Sequence, residues 1–120
     1  MIPRRSDSDL LRYASDSYLE QCMQAGIKIY LYDAGMLHAK TIIIDDELCS
    51  VGSTNFDFRS FEYNFESNLF IYSREFNERM TKVFMDDQEK CHRLTPEEWR
   101  KRPFIKKFTE SVVRLISPIL

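Results

Sequence analysis

The stretch running from His38 to Asn55, HAKTIIIDDELCSVGSTN, constrains the fold more than any other part of the chain. An apolar run, Ile42-Ile43-Ile44, enters an acidic turn, Asp45-Asp46-Glu47. Leu48 to Val51 then returns before Gly52-Ser53-Thr54-Asn55 turns the chain again. Strand-forming residues bounded by turn-forming ones read as two strands joined by a tight connection. The first strand is expected over residues 37–44, and its unbroken isoleucines predict burial on both faces. Side chains alternate faces along a strand, so His38 and Lys40 share one face and Asp45 takes the other.

The rest of the chain supplies helices and further strands around this hairpin. Residues 8–25 place Leu11, Ala14, Tyr18 and Cys22 at helical spacing, widened by Leu10 and Leu19, with Gly26 as the stop. Ile27 to Tyr32 alternates as a strand does, and Asp33-Ala34-Gly35 follows as a turn. Glu66 to Tyr72 reads as another strand. Helical periodicity resumes near Glu75 through Phe76, Met80, Val83, Phe84 and Asp87. Thr95-Pro96-Glu97-Glu98 has the form of a capping box opening a short helix through Trp99. Residues 104–117 set Phe104, Phe108, Val112, Leu115 and Ile116 on one helical face. This order predicts an α/β fold, a mixed β-sheet flanked by helices, in a single domain over residues 1–120.

Composition narrows the function classes. With 17 basic and 19 acidic residues the net charge is −2, which weighs against a dominant electrostatic grip on nucleic acid. No apolar run approaches the roughly 20 residues that span a bilayer. The opening Met-Ile-Pro-Arg-Arg-Ser-Asp has no apolar core behind its basic pair and is not expected to act as a signal peptide. Cys22, Cys49 and Cys91 are odd in number and widely spaced, which points to reduced thiols. No zinc-ligand spacing is present, and no metal or other cofactor is expected.

The hairpin residues have the chemistry to handle a phosphate. His38 can attack phosphorus or protonate a leaving oxygen, and Lys40 can neutralise the non-bridging oxygens. Gly52 permits close backbone approach, while the Ser53 hydroxyl and Asn55 amide can donate to the same oxygens. Asp45, on the opposite face, is better placed to fix the strand and turn. Singly, each residue has an ordinary structural role: a strand histidine, an edge lysine, a turn. Their joint spacing, H-x-K-x4-D-x6-G-S-x-N, resembles the HKD signature of the phospholipase D superfamily.

The flanks refine the resemblance. The segment from Asn55 to Glu66 is similar to the one after the second motif of bacterial cardiolipin synthases. Leu37, the Phe-Asp-x-Arg-Ser run, the terminal Arg114 to Leu120, and Pro3, Asp7 and Asp9 near the start are similar to the carboxyl-terminal portion of those enzymes. The resemblance implies that His38, Lys40 and Asp45 form the catalytic set, with Ser53, Asn55 and Glu66 binding or supporting phosphate. A glutamate at the place of Glu66 bonds the catalytic histidine ring in that family. Arg59 is open between a lipid phosphate and pairing with Asp57 or Glu62, and His92, without motif context, is expected to be an ordinary exposed residue.

Members of that family transfer a phosphatidyl group between two phosphatidylglycerol molecules through a phosphohistidine intermediate. They carry two HKD motifs, whereas this chain carries one. The chain is therefore expected to be the C-terminal half of a longer, membrane-anchored bacterial enzyme, soluble by itself and lacking the first half and an opening strand. Its partners are then phosphatidylglycerol and a second HKD half, from the same longer chain or a homodimer mate, with no nucleic acid. Three alternatives stay open. The first two are a phospholipase-type phosphodiesterase and a nuclease of the same superfamily. The third is a catalytically incomplete half that acts by dimerising.

Overall fold

The computed structural model describes residues 1–5, 9–103, 105, 109, 112 and 113. In chain order they form β1 (Ile2–Pro3), α1 (Asp9–Gln24), β2 (Ile29–Tyr32), β3 (Lys40–Ile44) and β4 (Leu48–Gly52). Then come α2 (Phe58–Glu62), β5 (Asn68–Tyr72), α3 (Arg74–Gln88), β6 (Cys91–Leu94) and α4 (Pro96–Arg100). The fold is α/β, as the pattern of elements predicts. Its strands divide into two sheets, and the chain into two compact units, Met1–Leu37 with Lys90–Leu120, and His38–Glu89.

The first unit holds the sheet β1-β2-β6, in which β1 runs parallel to β2 and β6 antiparallel to it. Helix α1 ends where Gly26 takes the left-handed conformation (φ 86°) and its amide closes on the Met23 carbonyl at 3.0 Å. The apolar stripe of α1 delivers Leu19 to a core with Ile29, Leu94 and Trp99, flanked by Ile2, Cys22, Met23 and Leu31. The capping box forms: Thr95 Oγ1 accepts from the Glu98 amide at 3.3 Å, and the Glu98 carboxylate accepts from the Thr95 amide at 3.1 Å. Strand β1 corrects the expectation that a helix opens the chain. It is two residues long and carries no period, so only its pairing with Leu31 and Tyr32 reveals it. The helix face expected from Phe104, Phe108, Leu115 and Ile116 lies outside the described residues.

The second unit is an antiparallel sheet, β3-β4-β5, with α3 packed on it. Its register aligns Lys40 with Gly52 and Asn68, Ile42 with Ser50 and Phe70, and Ile44 with Leu48 and Tyr72. Ser73 caps α3 by accepting from the Phe76 amide at 3.3 Å. The buried Asn77 of α3 donates to the Leu48 carbonyl at 2.8 Å, satisfying an amide that burial would otherwise penalise. Cys49 is fully buried, and its cross-strand neighbours Ile43 and Ile71 are partly so.

The other face of this sheet is open. Ile42 and Ile44 are about half exposed, Phe70 is 62% exposed and Tyr72 79%. The isoleucine run is thus covered on one face rather than both. A single helix covers a single face, and continuous β-branched residues suit a strand whichever face is covered. At the tip of the hairpin Asp45 adopts φ 48°, a left-handed conformation that aspartate tolerates better than most residues.

Candidate active site

Every residue of the H-x-K…G-S-x-N pattern falls in the second unit. Strand β3 begins at Lys40, so His38 sits just before the strand, exposed to solvent. The Lys40 ammonium folds back to donate to the His38 carbonyl at 2.9 Å. Beside Lys40, β4 ends at Gly52, with Asn68 of β5 on its far side. A Cβ at position 52 would stand 2.7 Å from the Asn68 Cα, nearer than two carbons can approach. Glycine there is what lets β5 close on the turn.

The turn is fastened at its neck. The Ser53 amide donates to the Ser67 carbonyl at 3.0 Å, and the Ser67 amide returns a bond to Ser53 Oγ at 3.0 Å. The Ser53 hydroxyl donates to the Glu66 carboxylate, and the Asn68 side-chain Nδ2 to the Thr54 hydroxyl. Asn64 Nδ2 adds a longer bond to Glu66 at 3.4 Å. Between these ends α2 is capped by Asp57, whose carboxylate accepts from the Ser60 amide at 2.8 Å. Ser60 is only 5% exposed, and its Oγ accepts from the Asn55 amide at 3.3 Å.

These bonds set the charge on Glu66. The Ser53 hydroxyl first, then Ser60 and Asn64, together with the positive charge of Lys40, hold its carboxyl below the ordinary carboxylate range despite some desolvation. A carboxylate accepting several hydrogen bonds stays ionised and fixed in orientation. Lys40, Ser53 and Glu66 therefore share one electrostatic neighbourhood at the end of the sheet, with Asn55 attached through Ser60.

Two expected partners stand apart. The His38 ring makes no hydrogen bond to Glu66 among the described residues; the glutamate oxygens accept from Ser53 and Asn64. Asp45 lies just past the far end of β3, roughly 16 Å from Lys40 at about 3.3 Å per residue. His92 belongs to the first unit, where its Nε2 lies 3.2 Å from Glu98. Ser60 and Asn64 were not legible as members of the cluster. The signal for Ser60 was Asp57, an N-cap residue three positions earlier whose capping bond places the serine. Around them Phe56, Phe58, Phe61, Tyr63 and Phe65 are all exposed, with Phe56–Phe61 and Phe58–Tyr63 meeting edge-on at 5.5 Å.

The α/β fold, with an antiparallel hairpin leading from a histidine–lysine pair into a Gly-Ser-x-Asn turn, defines a phospholipase D-like domain. A family model described as cardiolipin synthase, PLD-like domain, matches residues 1–88. The chain is 44% identical over 120 residues to a cardiolipin synthase of Clostridium perfringens. It is 45% identical over 120 residues to those of Listeria monocytogenes and Listeria welshimeri. Each alignment takes in 100% of this chain and 25% of the relative, so the chain spans about a quarter of the length of these curated relatives. No solved structure matches it. The chain belongs to the cardiolipin synthase PLD-like domain family.

Proposed function

We propose that this chain is the C-terminal HKD half of a cardiolipin synthase and supplies one of the two histidine–lysine sets for phosphatidyl transfer between phosphatidylglycerol molecules. The observation that carries this reading is the cluster at the end of the β3-β4-β5 sheet. There the Ser53 hydroxyl is bonded to Glu66, the Lys40 charge bears on that carboxylate, and β5 closes on Gly52. In the proposed reaction the other half's histidine attacks phosphorus, forming a phosphohistidine. His38 protonates the departing glycerol oxygen and then takes the proton of the acceptor hydroxyl as that oxygen attacks. Lys40, Ser53 and Asn55 stabilise the charge that gathers on the phosphoryl oxygens. Asp45 holds the hairpin turn. The geometry supports that role because Asp45 is remote from Lys40 and has a left-handed backbone.

The open sheet face supports a second half as partner. Ile42, Ile44, Phe70 and Tyr72 share the face of Lys40 in the strand register, and they form an apolar surface next to the cluster. A complementary HKD half, or a second copy of this chain, would bury that surface and exclude water from the phosphate. A stable interface of this kind covers about 1,200 Å² or more in total. Among the described residues no helix is long and apolar enough to cross a membrane. As part of the same proposal, attachment to the bacterial cell membrane belongs to other segments of the longer enzyme. Hydrolysis, with water as acceptor, would use the same residues, and the net charge of −2 disfavours a nuclease.

The test is cardiolipin formation from phosphatidylglycerol vesicles by the complete two-motif enzyme. His38→Ala is expected to abolish it, and Lys40→Ala to reduce it about 100-fold or more, the scale of a lost oxyanion partner. Near-wild-type rates in either variant would remove that residue from the mechanism. Release of phosphatidic acid without cardiolipin would establish the hydrolase instead.

A further inference from the structure

Asparagine is among the residues least suited to a strand, yet Asn68 opens β5 opposite Gly52, where the sheet meets the Gly-Ser-x-Asn turn. Core packing does not account for it, since the residue is exposed. Two contacts do. Its Nδ2 donates to the Thr54 hydroxyl, and its Oδ1 is the first atom that a Cβ at position 52 would overlap. We propose that Asn68 is a positioning residue for this turn. Its side chain lies across Gly52 and holds Thr54, the residue between the two proposed phosphate donors Ser53 and Asn55.

The physical case is one of alternation. Side chains two apart in an extended segment share a face, so Glu66 and Asn68 stand side by side with Ser67 between them. Glu66 accepts from the Ser53 hydroxyl and Asn68 donates to the Thr54 hydroxyl, so alternate side chains grip successive hydroxyls of the turn. Ser67 secures Ser53 from between, by the two bonds of 3.0 Å. Beyond Thr54 the next tie is the longer one from the Asn55 amide to Ser60 Oγ at 3.3 Å. Asn68 thus fastens the half of the turn that the serine pair does not reach. Gly52 and Asn68 form a matched pair on this reading, because a side chain at position 52 would take the place of the Asn68 amide and break its bond to Thr54. The inference rests on the proposal that Ser53 and Asn55 serve a phosphate site, although the bond itself can be tested without turnover.

The experiment is hydrogen exchange at the Asn55 amide, followed by NMR on the 120-residue chain. Thr54→Val keeps the shape and removes the acceptor, and Asn68→Leu keeps the size and removes the donor. Each should speed exchange about three- to tenfold, the scale of one hydrogen bond. Thr54→Ser, which keeps the hydroxyl, should exchange as wild type, and the double variant Thr54→Val with Asn68→Leu should exchange no faster than either single one. In the complete two-motif enzyme the same variants should lower kcat in the same order and leave KM for phosphatidylglycerol unchanged, a split that general loosening of the fold does not produce. Wild-type exchange in folded Thr54→Val, losses that add in the double variant, or a wild-type kcat in both single variants would overturn the proposal. If Asn68→Leu does not fold, the comparison of Thr54→Val with Thr54→Ser decides by itself. Failure of the wider reading would show separately, as wild-type turnover by His38→Ala in the complete enzyme.

Discussion

Gly52→Ala is the sharpest test of the geometry that holds the candidate site together. The added methyl would stand 2.7 Å from the Asn68 Cα, about 1 Å inside the ordinary separation of two carbons. Part of the obstruction is backbone, so rotating a side chain cannot relieve it, and β4 and β5 must part. Overpacking of this kind costs about 1–3 kcal/mol. The parting also weakens the reciprocal Ser53–Ser67 bonds, each 3.0 Å long and worth about 1 kcal/mol. Reduced freedom of the unfolded chain returns about 0.5–1 kcal/mol. The net loss is about 2–4 kcal/mol, a large fraction of a small domain's stability of about 5–15 kcal/mol. Urea unfolding should show a lower midpoint at an unchanged slope. Gly26→Ala is the comparison, because a Cβ there meets nothing within 4 Å and only its φ of 86° is unfavourable. That variant should lose about 1 kcal/mol, the ordinary cost of a left-handed non-glycine residue. A Gly52→Ala loss no larger than that of Gly26→Ala would refute the close approach of β5.

Three further outcomes follow from the same unit. Glu66 titrates below its unfolded value, so its contribution is fully present above about pH 4.3 and is lost as pH falls through the lower folded value. Glu66→Gln should flatten that part of an acid-unfolding series, and an unaltered pH profile would show that the bonds from Ser53 and its neighbours do not hold the carboxylate. Asp45→Gly should keep or improve stability while Asp45→Val costs about 1–2 kcal/mol in denaturant midpoint, because position 45 needs a left-handed backbone. Equal stability of the two variants would count against that conformation. Phe70→Ser with Tyr72→Ser should change the stability of the monomeric chain by no more than about 0.5 kcal/mol, since both rings face water. A loss of several kcal/mol would mean the face is covered.

The elements legible in the sequence are those with either a long period or a distinctive terminus. Helices α1 and α3 carry enough turns for the apolar stripe to show, and the Thr95 capping box announced α4 in four residues. The β3–β4 hairpin showed itself through the acidic turn between two apolar runs. Strands β1 and β6 did not, because two and four residues hold too little pattern for period to emerge. Helix α2 was hidden differently. Its five residues sit in a segment with aromatics on every side, which blurs any single face. At the site, spacing singled out Lys40, Ser53 and Asn55, and the family resemblance Glu66, while the place of Ser60 beside Asn55 depends on burial, which no local pattern encodes. The bond between Glu66 and His38 implied by the family resemblance is not among the hydrogen bonds of the described residues, where Ser53 donates to Glu66 across the neck of the turn.

Under the proposed function, the bond between Ser53 and Glu66 bears on what this chain could do without a second half. His38 and the Lys40 ammonium stand at an open edge, where water screens charge. Opposite unit charges 4 Å apart are worth about 1 kcal/mol in water and about 4 kcal/mol at the effective dielectric of a protein surface. A phosphate bound against Lys40 in this chain therefore gains little over one in solution, and among the described residues no carboxylate is hydrogen-bonded to the exposed His38 ring. Covering the site changes both terms. Exclusion of water strengthens the Lys40–phosphate attraction several-fold, and the Glu66 carboxylate, already ionised and oriented by Ser53, needs to exchange or share only one acceptor position to reach an imidazolium at His38. The open apolar face around Ile42, Ile44, Phe70 and Tyr72 supplies the driving force for that covering, because each large side chain taken from water contributes about 1.5–3 kcal/mol when fully buried. Assembly of the second half and activation of the first are, on this account, one event. Cardiolipin formation should consequently rise with the fraction of assembled enzyme, without a separate activating step.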